Sequence, residues 1–190
     1  MAKDTFKNLK PDKKEKVIEV LKQLFQEKPF QEITVKEIVD ELGIARGSFY
    51  QYFEDLEDAY FEVLNREVVD IHKLFIDILR YQYQDLEQAL EEYGKQLSVL
   101  LFDQDSYLIY KNRYLYWDEN LSQRWSKVHT YHSQMFANDS SGPALDFEQI
   151  QFLKGIVHTL IKRNYKENWT KEQFGQKYQL QVSWILKGVK

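Results

Sequence analysis

The chain has 190 residues, enough for one substantial core or for a small domain joined to a larger one. Seven glycines and three prolines are few, which argues against a turn-rich β-sandwich and against the glycine loops of a nucleotide-binding α/β fold. The absence of cysteine excludes disulfides, thiolate metal sites and a cysteine nucleophile, and a net charge of −4 gives no first sign of a nucleic-acid binder.

The charge is unevenly spread. The first 22 residues carry seven lysines against four acids, whereas residues 54–190 carry 16 basic against 21 acidic side chains. This polar, lysine-rich start has no apolar run of the kind a leader peptide needs, and no stretch approaches the ~20 apolar residues of a membrane span. A cytoplasmic protein with no membrane partner is expected. Pro11 then opens a helix whose inner face is Val17, Val20, Leu21, Leu24 and Phe25, spaced i, i+3, i+4, i+7. Pro29 ends it, because proline disfavours the helical conformation of the residue before it and has no N–H to donate. Thr34-Val35-Lys36-Glu37 reads as a capping box at the start of a second helix, with Val35, Ile38, Val39 and Leu42 inward. Gly43 stops that helix, since a left-handed residue costs little only for glycine. A third short helix spans 45–53 and buries Phe49 and Phe53.

Two short helices meeting at a glycine have the geometry of a DNA-reading helix-turn-helix. Ile38 and Val39 lie five and four residues before Gly43, and Phe49 lies six after it, at the positions that must be buried for the helices to cross. Residues 33–39 (ITVKEIV) and 42–53 (LGIARGSFYQYF) resemble the N-terminal domain of the tetracycline-repressor (TetR/AcrR) family, and the helix ending Leu24-Phe25 resembles that family's first helix. The resemblance covers roughly residues 10–64. It implies an all-α protein of about nine helices, with a three-helix helix-turn-helix domain over 1–54 and a helical ligand-binding and dimerisation domain over 55–190. It implies a homodimeric transcriptional regulator, usually a repressor, released from a palindromic double-stranded DNA operator by a small-molecule effector. The DNA-facing residues it implies are Thr34, Lys36, Arg46, Gly47, Ser48, Tyr50, Gln51 and Tyr52. Arg46 can pair bidentately with guanine and Gln51 with adenine. Tyr50 and Tyr52 lie off the Phe49/Phe53 stripe, so both are expected at the surface. Three positions depart from the family pattern: Leu56 stands where a lysine is usual, Val39 where alanine is usual, and Pro29 where glycine is common. Leu56 and the net acidity leave open a second reading, a helical adaptor that keeps the helix-turn-helix as scaffold.

Past residue 54 the apolar pattern predicts one helix of roughly 25 residues from Asp55 through Ile78, then a helix capped by Asp85. Residues 105–136 are helical in composition with a break near Trp117-Asp118. Asp146 is expected to cap the penultimate helix, and Thr170-Lys171-Glu172-Gln173 is a second capping box opening the last one. Eight aromatics between residues 107 and 136 suggest a ligand pocket, with Tyr110, Tyr114, Trp117 and His129 as its candidate lining. Gly155 and Gly175, inside the last two helices, suggest close helix approach. A dimer seam is therefore expected along Ile150, Leu153, Val157, Leu160, Phe174, Tyr178 and Ile185. His129 and His132 are an i, i+3 pair with no acid or cysteine within a turn, and His72 and His158 read as isolated. No metal, cofactor or catalytic arrangement is expected, and the chain is not read as an enzyme.

Overall fold

The computed structural model describes residues 2–79, 85–128, 145 and 147–187. They form helices α1 (Asp4–Lys7), α2 (Pro11–Glu27), α3 (Val35–Leu42), α4 (Arg46–Tyr52), α5 (Leu56–Glu67), α6 (Ile71–Asp77), α7 (Leu86–Leu101), α8 (Tyr107–Tyr116), α9 (Glu119–Val128), α10 (Phe147–Glu167) and α11 (Lys171–Lys187). No strand occurs among the described residues. The chain packs as two compact units. One holds Met1–Val68 and the chain from Leu108 to the end of α9; the other holds Val69–Tyr107 and the last two helices.

In the first unit the local signals act as the sequence suggests. Pro11 occupies the first position of α2, and Lys28 ends that helix in extended conformation just before Pro29. The Thr34 hydroxyl accepts from the Glu37 N–H at 3.2 Å, while the Glu37 carboxylate accepts from the Thr34 N–H at 2.9 Å. Gly43 closes α3 in the left-handed region at φ 64°. Ile38, Phe49 and Phe53 are buried, so α3 and α4 cross over a shared apolar centre with Leu21 and Phe25 of α2. Beyond residue 54, α5, α8 and α9 pack on this same core through Phe61, Leu64, Ile109 and Leu121.

Two features differ from expectation. The N-terminal arm is not merely polar: α1 forms there and Phe6 is fully buried. The expected long helix from Asp55 breaks at 68–70. Val68 is extended, and the Asp70 carboxylate accepts from the His72 and Lys73 N–H groups to start α6. Two adjacent β-branched valines favour extended backbone, and the aspartate cap supplies a new start without any Gly or Pro.

In the second unit α11 packs on α7. Gly94 permits this: a Cβ there would lie 2.3 Å from the Tyr178 ring. The Tyr178 hydroxyl then donates to the Leu90 carbonyl at 2.7 Å. Phe174 meets Phe102, and Tyr165 donates to the Leu101 carbonyl at 3.3 Å. Asn168 ends α10 with φ 52°, the left-handed role that glycine more often fills. The second capping box forms, Thr170 N–H to Gln173 Oε1 at 2.9 Å.

A Cβ at Gly155 or Gly175 would meet nothing within 4 Å in this chain, so the close approach expected at these glycines does not occur between helices of one chain. Of the expected seam, Leu153, Val157, Leu160, Phe174 and Tyr178 are buried in the chain's own core. The outward face of α10 and α11 is instead apolar through Phe152 (59% exposed), Leu180 (49%) and Trp184 (46%). Ile150 and Ile185 are only half-buried, and Ile185 lines a cleft with Phe152, Gly155, Ile156 and Trp184. Asp146 lies outside the described residues.

Candidate nucleic-acid interface

Seven residues build α4, and the Phe49/Phe53 anchor decides which of them face outward. Arg46, Gly47, Tyr50 and Gln51 are exposed and Ser48 is half-buried. The Arg46 Nη2 lies 3.4 Å from the Tyr50 hydroxyl one turn on, and its guanidinium is 5.9 Å from the centre of that ring. The pair thus presents a planar cation beside an aromatic edge, suited to a base edge or a phosphate. A Cβ at Gly47 would meet nothing within 4 Å, so the fold itself does not require glycine there.

Tyr52 is a correction. It is 4% exposed and packs against Phe6 and Phe53, with Lys13 Nζ 5.8 Å from its ring centre. Helix α1, whose buried Phe6 packs on Tyr52, is the reason; the residue spacing of α4 alone placed it on the surface.

The α3 end of the interface carries Thr34 and Lys36, both exposed. The Thr34 hydroxyl also lies 3.0 Å from Glu37 Oε2, so it is engaged within the box. Lys28 Nζ meets Glu37 Oε1 at 2.6 Å. The Lys28 hydrogen bond, helped by the Thr34 N–H and hydroxyl, lowers the Glu37 carboxyl to about 2. A phosphate approaching this helix start would therefore share it with a firmly ionised carboxylate. Leu56, where a lysine is usual, packs half-buried against the apolar core.

Helices α8 and α9 brace the three-helix array. Asn112 Nδ2 donates to the carbonyls of Phe25, Gln26 and Lys28 at 2.9, 3.0 and 3.3 Å, closing the C-terminal end of α2. Arg124 meets Asp55 at 2.7 Å, Asp58 at 3.8 Å, and also Glu57, gathering three acids at the start of α5. Gln31 donates to the Tyr116 carbonyl at 2.8 Å. None of these three contacts has a local sequence signal, because each spans at least 66 residues of chain.

The aromatic-rich segment is used differently from expectation. Trp117 packs on Phe61 and Trp125, donates from Nε1 to Ser122 at 2.8 Å, and shares the Arg113 guanidinium with Trp125 at 5.1 Å. Tyr110 is 1% exposed and enclosed. These two serve packing in this structure, which accounts for part of the aromatic density. Tyr114 is half-buried, and His129 lies outside the described residues. The structure also unites two histidines that looked isolated. His72 Nε2 and His158 Nε2 are 2.6 Å apart, with the rings stacked at 4.7 Å, joining α6 to α10.

Comparison with known proteins agrees with this architecture. Residues 86–188 match the family model for the tetracyclin repressor C-terminal domain, and residues 17–62 match that for bacterial regulatory proteins of the tetR family. The HTH-type transcriptional regulator SAB2452 of Staphylococcus aureus (strain bovine RF122 / ET3-1) is 30% identical over 87 residues, which is 46% of this chain and 44% of that protein. The match thus spans less than half the length of that relative. NalD of Pseudomonas aeruginosa, the secondary repressor of the MexAB-OprM multidrug efflux pump, has a similar fold: TM-score 0.62 and 14% identity, over 90% of this chain and 94% of that one. A TetR family transcriptional regulator from Chloroflexus aurantiacus gives a TM-score of 0.54 and 22% identity, over 96% and 95%. The chain belongs to the tetracycline-repressor family of transcriptional regulators.

Proposed function

We propose that the chain acts in the cytoplasm as a homodimeric, operator-binding repressor that a small-molecule effector releases, and that it is not an enzyme. The observation that carries the reading is α4 itself. Its buried Phe49/Phe53 stripe turns Arg46, Tyr50 and Gln51 outward together, beside the exposed Lys36 of α3. A single recognition helix reads too few base pairs for a useful operator, so two copies on a palindrome are required. The unpartnered apolar face of α10 and α11, with Phe152, Ile156, Trp184 and Ile185, is the surface through which a second copy supports this.

The test is enrichment of duplexes from a random library by the full chain, followed by footprinting. A palindromic site bound with steep salt dependence is the expected result. Failure to enrich any duplex at low salt, with or without cell extract, favours the adaptor reading, in which Leu56 and the acidic body serve protein contacts. An effector is identified by the compound class that lowers operator affinity in the same assay.

A further inference from the structure

Helix α4 has seven residues, too few for a helix to be stable by itself. Its last-turn carbonyls must find partners outside it. The Phe49 carbonyl takes the Phe53 N–H at 2.9 Å. The Tyr52 carbonyl takes the Lys3 backbone N–H at 2.8 Å, and the Tyr50 carbonyl takes Lys3 Nζ at 3.0 Å. One residue, 47 positions upstream of Tyr50, thus supplies bonds to two of these carbonyls. Lys3 Nζ also pairs with Glu54 at 3.0 Å, just past the helix end. An ammonium at a helix C-terminus opposes the negative end of the helix dipole.

Behind this cap sits an apolar anchor. Phe6 is fully buried, its ring 4.8 Å from Phe53 and 6.1 Å from Tyr52. Lys14 Nζ lies 5.4 Å from the centre of the Phe6 ring, linking the anchor to α2. Ala2 is buried beside it.

The geometry points to Lys3 and Phe6 as positioning residues for the operator-reading helix, α1 acting as a clamp on the C-terminal end of α4. The inference rests on the operator-binding reading above. Arg46 and Gln51 can make bidentate base contacts only if α4 keeps its direction, and such contacts lose their value with small misplacement. The Lys3 ammonium is already held by a carbonyl and a carboxylate, so its role is to hold α4. It does not act as a phosphate ligand.

The experiment measures operator and unrelated-duplex affinity of the full chain across a salt series, with amide exchange of α4. Lys3→Met should weaken operator binding by about three- to tenfold, as for one lost hydrogen bond at an exposed site. Unrelated-duplex affinity and the salt slope should not change, and the amides at the end of α4 should exchange faster. Lys3→Arg should restore binding. Phe6→Leu, which changes no charge and is milder than alanine, should reproduce the selective loss. A salt slope reduced by about one with Lys3→Met would mean a phosphate contact and would overturn the proposal. So would operator affinity unchanged in both Lys3→Met and Phe6→Leu. If the unmodified chain binds no duplex, the operator-binding reading fails first, and the variants are not what decides it.

Discussion

Arg46 is the one cation on α4, and its guanidinium is exposed beside Tyr50. Arg46→Ala should therefore relax base discrimination at one operator position by about 1–3 kcal/mol while leaving thermal stability unchanged. Full operator affinity in the variant, measured by gel shift at fixed salt, would remove Arg46 from the reading. Glu37 offers a pH test. Lys28 and Thr34 hold its carboxyl at about 2, against 4.5 ordinarily. A carboxyl lowered in the folded state stabilises the fold above its ordinary value, and that stabilisation is lost as pH falls from about 4.5 towards 2. Wild type should thus be more stable than Glu37→Gln at neutral pH, with the gap in urea midpoints closing across that acidic window. A gap independent of pH would show that the capping geometry alone matters, since glutamine can still close the box.

At the scale of elements, capping and breaking signals were legible because they act within a few residues. Pro11, Pro29, the Thr34–Glu37 box, Gly43, Asp85 and the Thr170–Gln173 box all mark helix ends as their chemistry predicts. The missed break at 68–70 has the same local character. It was hidden because β-branched valines only bias the backbone, whereas Gly and Pro interrupt it. Helix α1 was missed because a single Phe6 in a polar arm has no periodicity to read. Asn112 shows what lies beyond local reading. Its amide closes three carbonyls of α2 from another helix, so Asn112→Ala should cost about 1–3 kcal/mol of unfolding free energy. Urea unfolding checks this, and a loss within error would mean that water replaces the amide fully.

For the molecule as a whole, the last two helices carry the decision about partners. Phe152 and Trp184 are exposed, whereas most large apolar side chains among the described residues are enclosed. If the proposed dimer forms through this face, Trp184→Glu should convert it to monomer in sedimentation. It should also weaken operator binding far more than it weakens one half-site, because paired half-sites depend on a tether between the two reading helices. An unchanged sedimentation coefficient would move the seam elsewhere. Five of the seven residues that the sequence places at that seam are buried within this chain. A helical stripe says which residues share a face, and it does not say whether that face meets the chain's own α7 or another copy.

The sequence by itself determined the helical class, most helix ends and the short helix pair meeting at Gly43, all consequences of spacing and capping within a turn or two. Only the tertiary structure decided that Tyr52 is interior, that Gly94 and Tyr178 set the packing of α7 and α11, that His72 meets His158, and that Lys3 completes α4. Those outcomes depend on residues tens of positions apart occupying the same few ångströms. That competition for buried volume and unpaired carbonyls exists only once the chain has closed on itself.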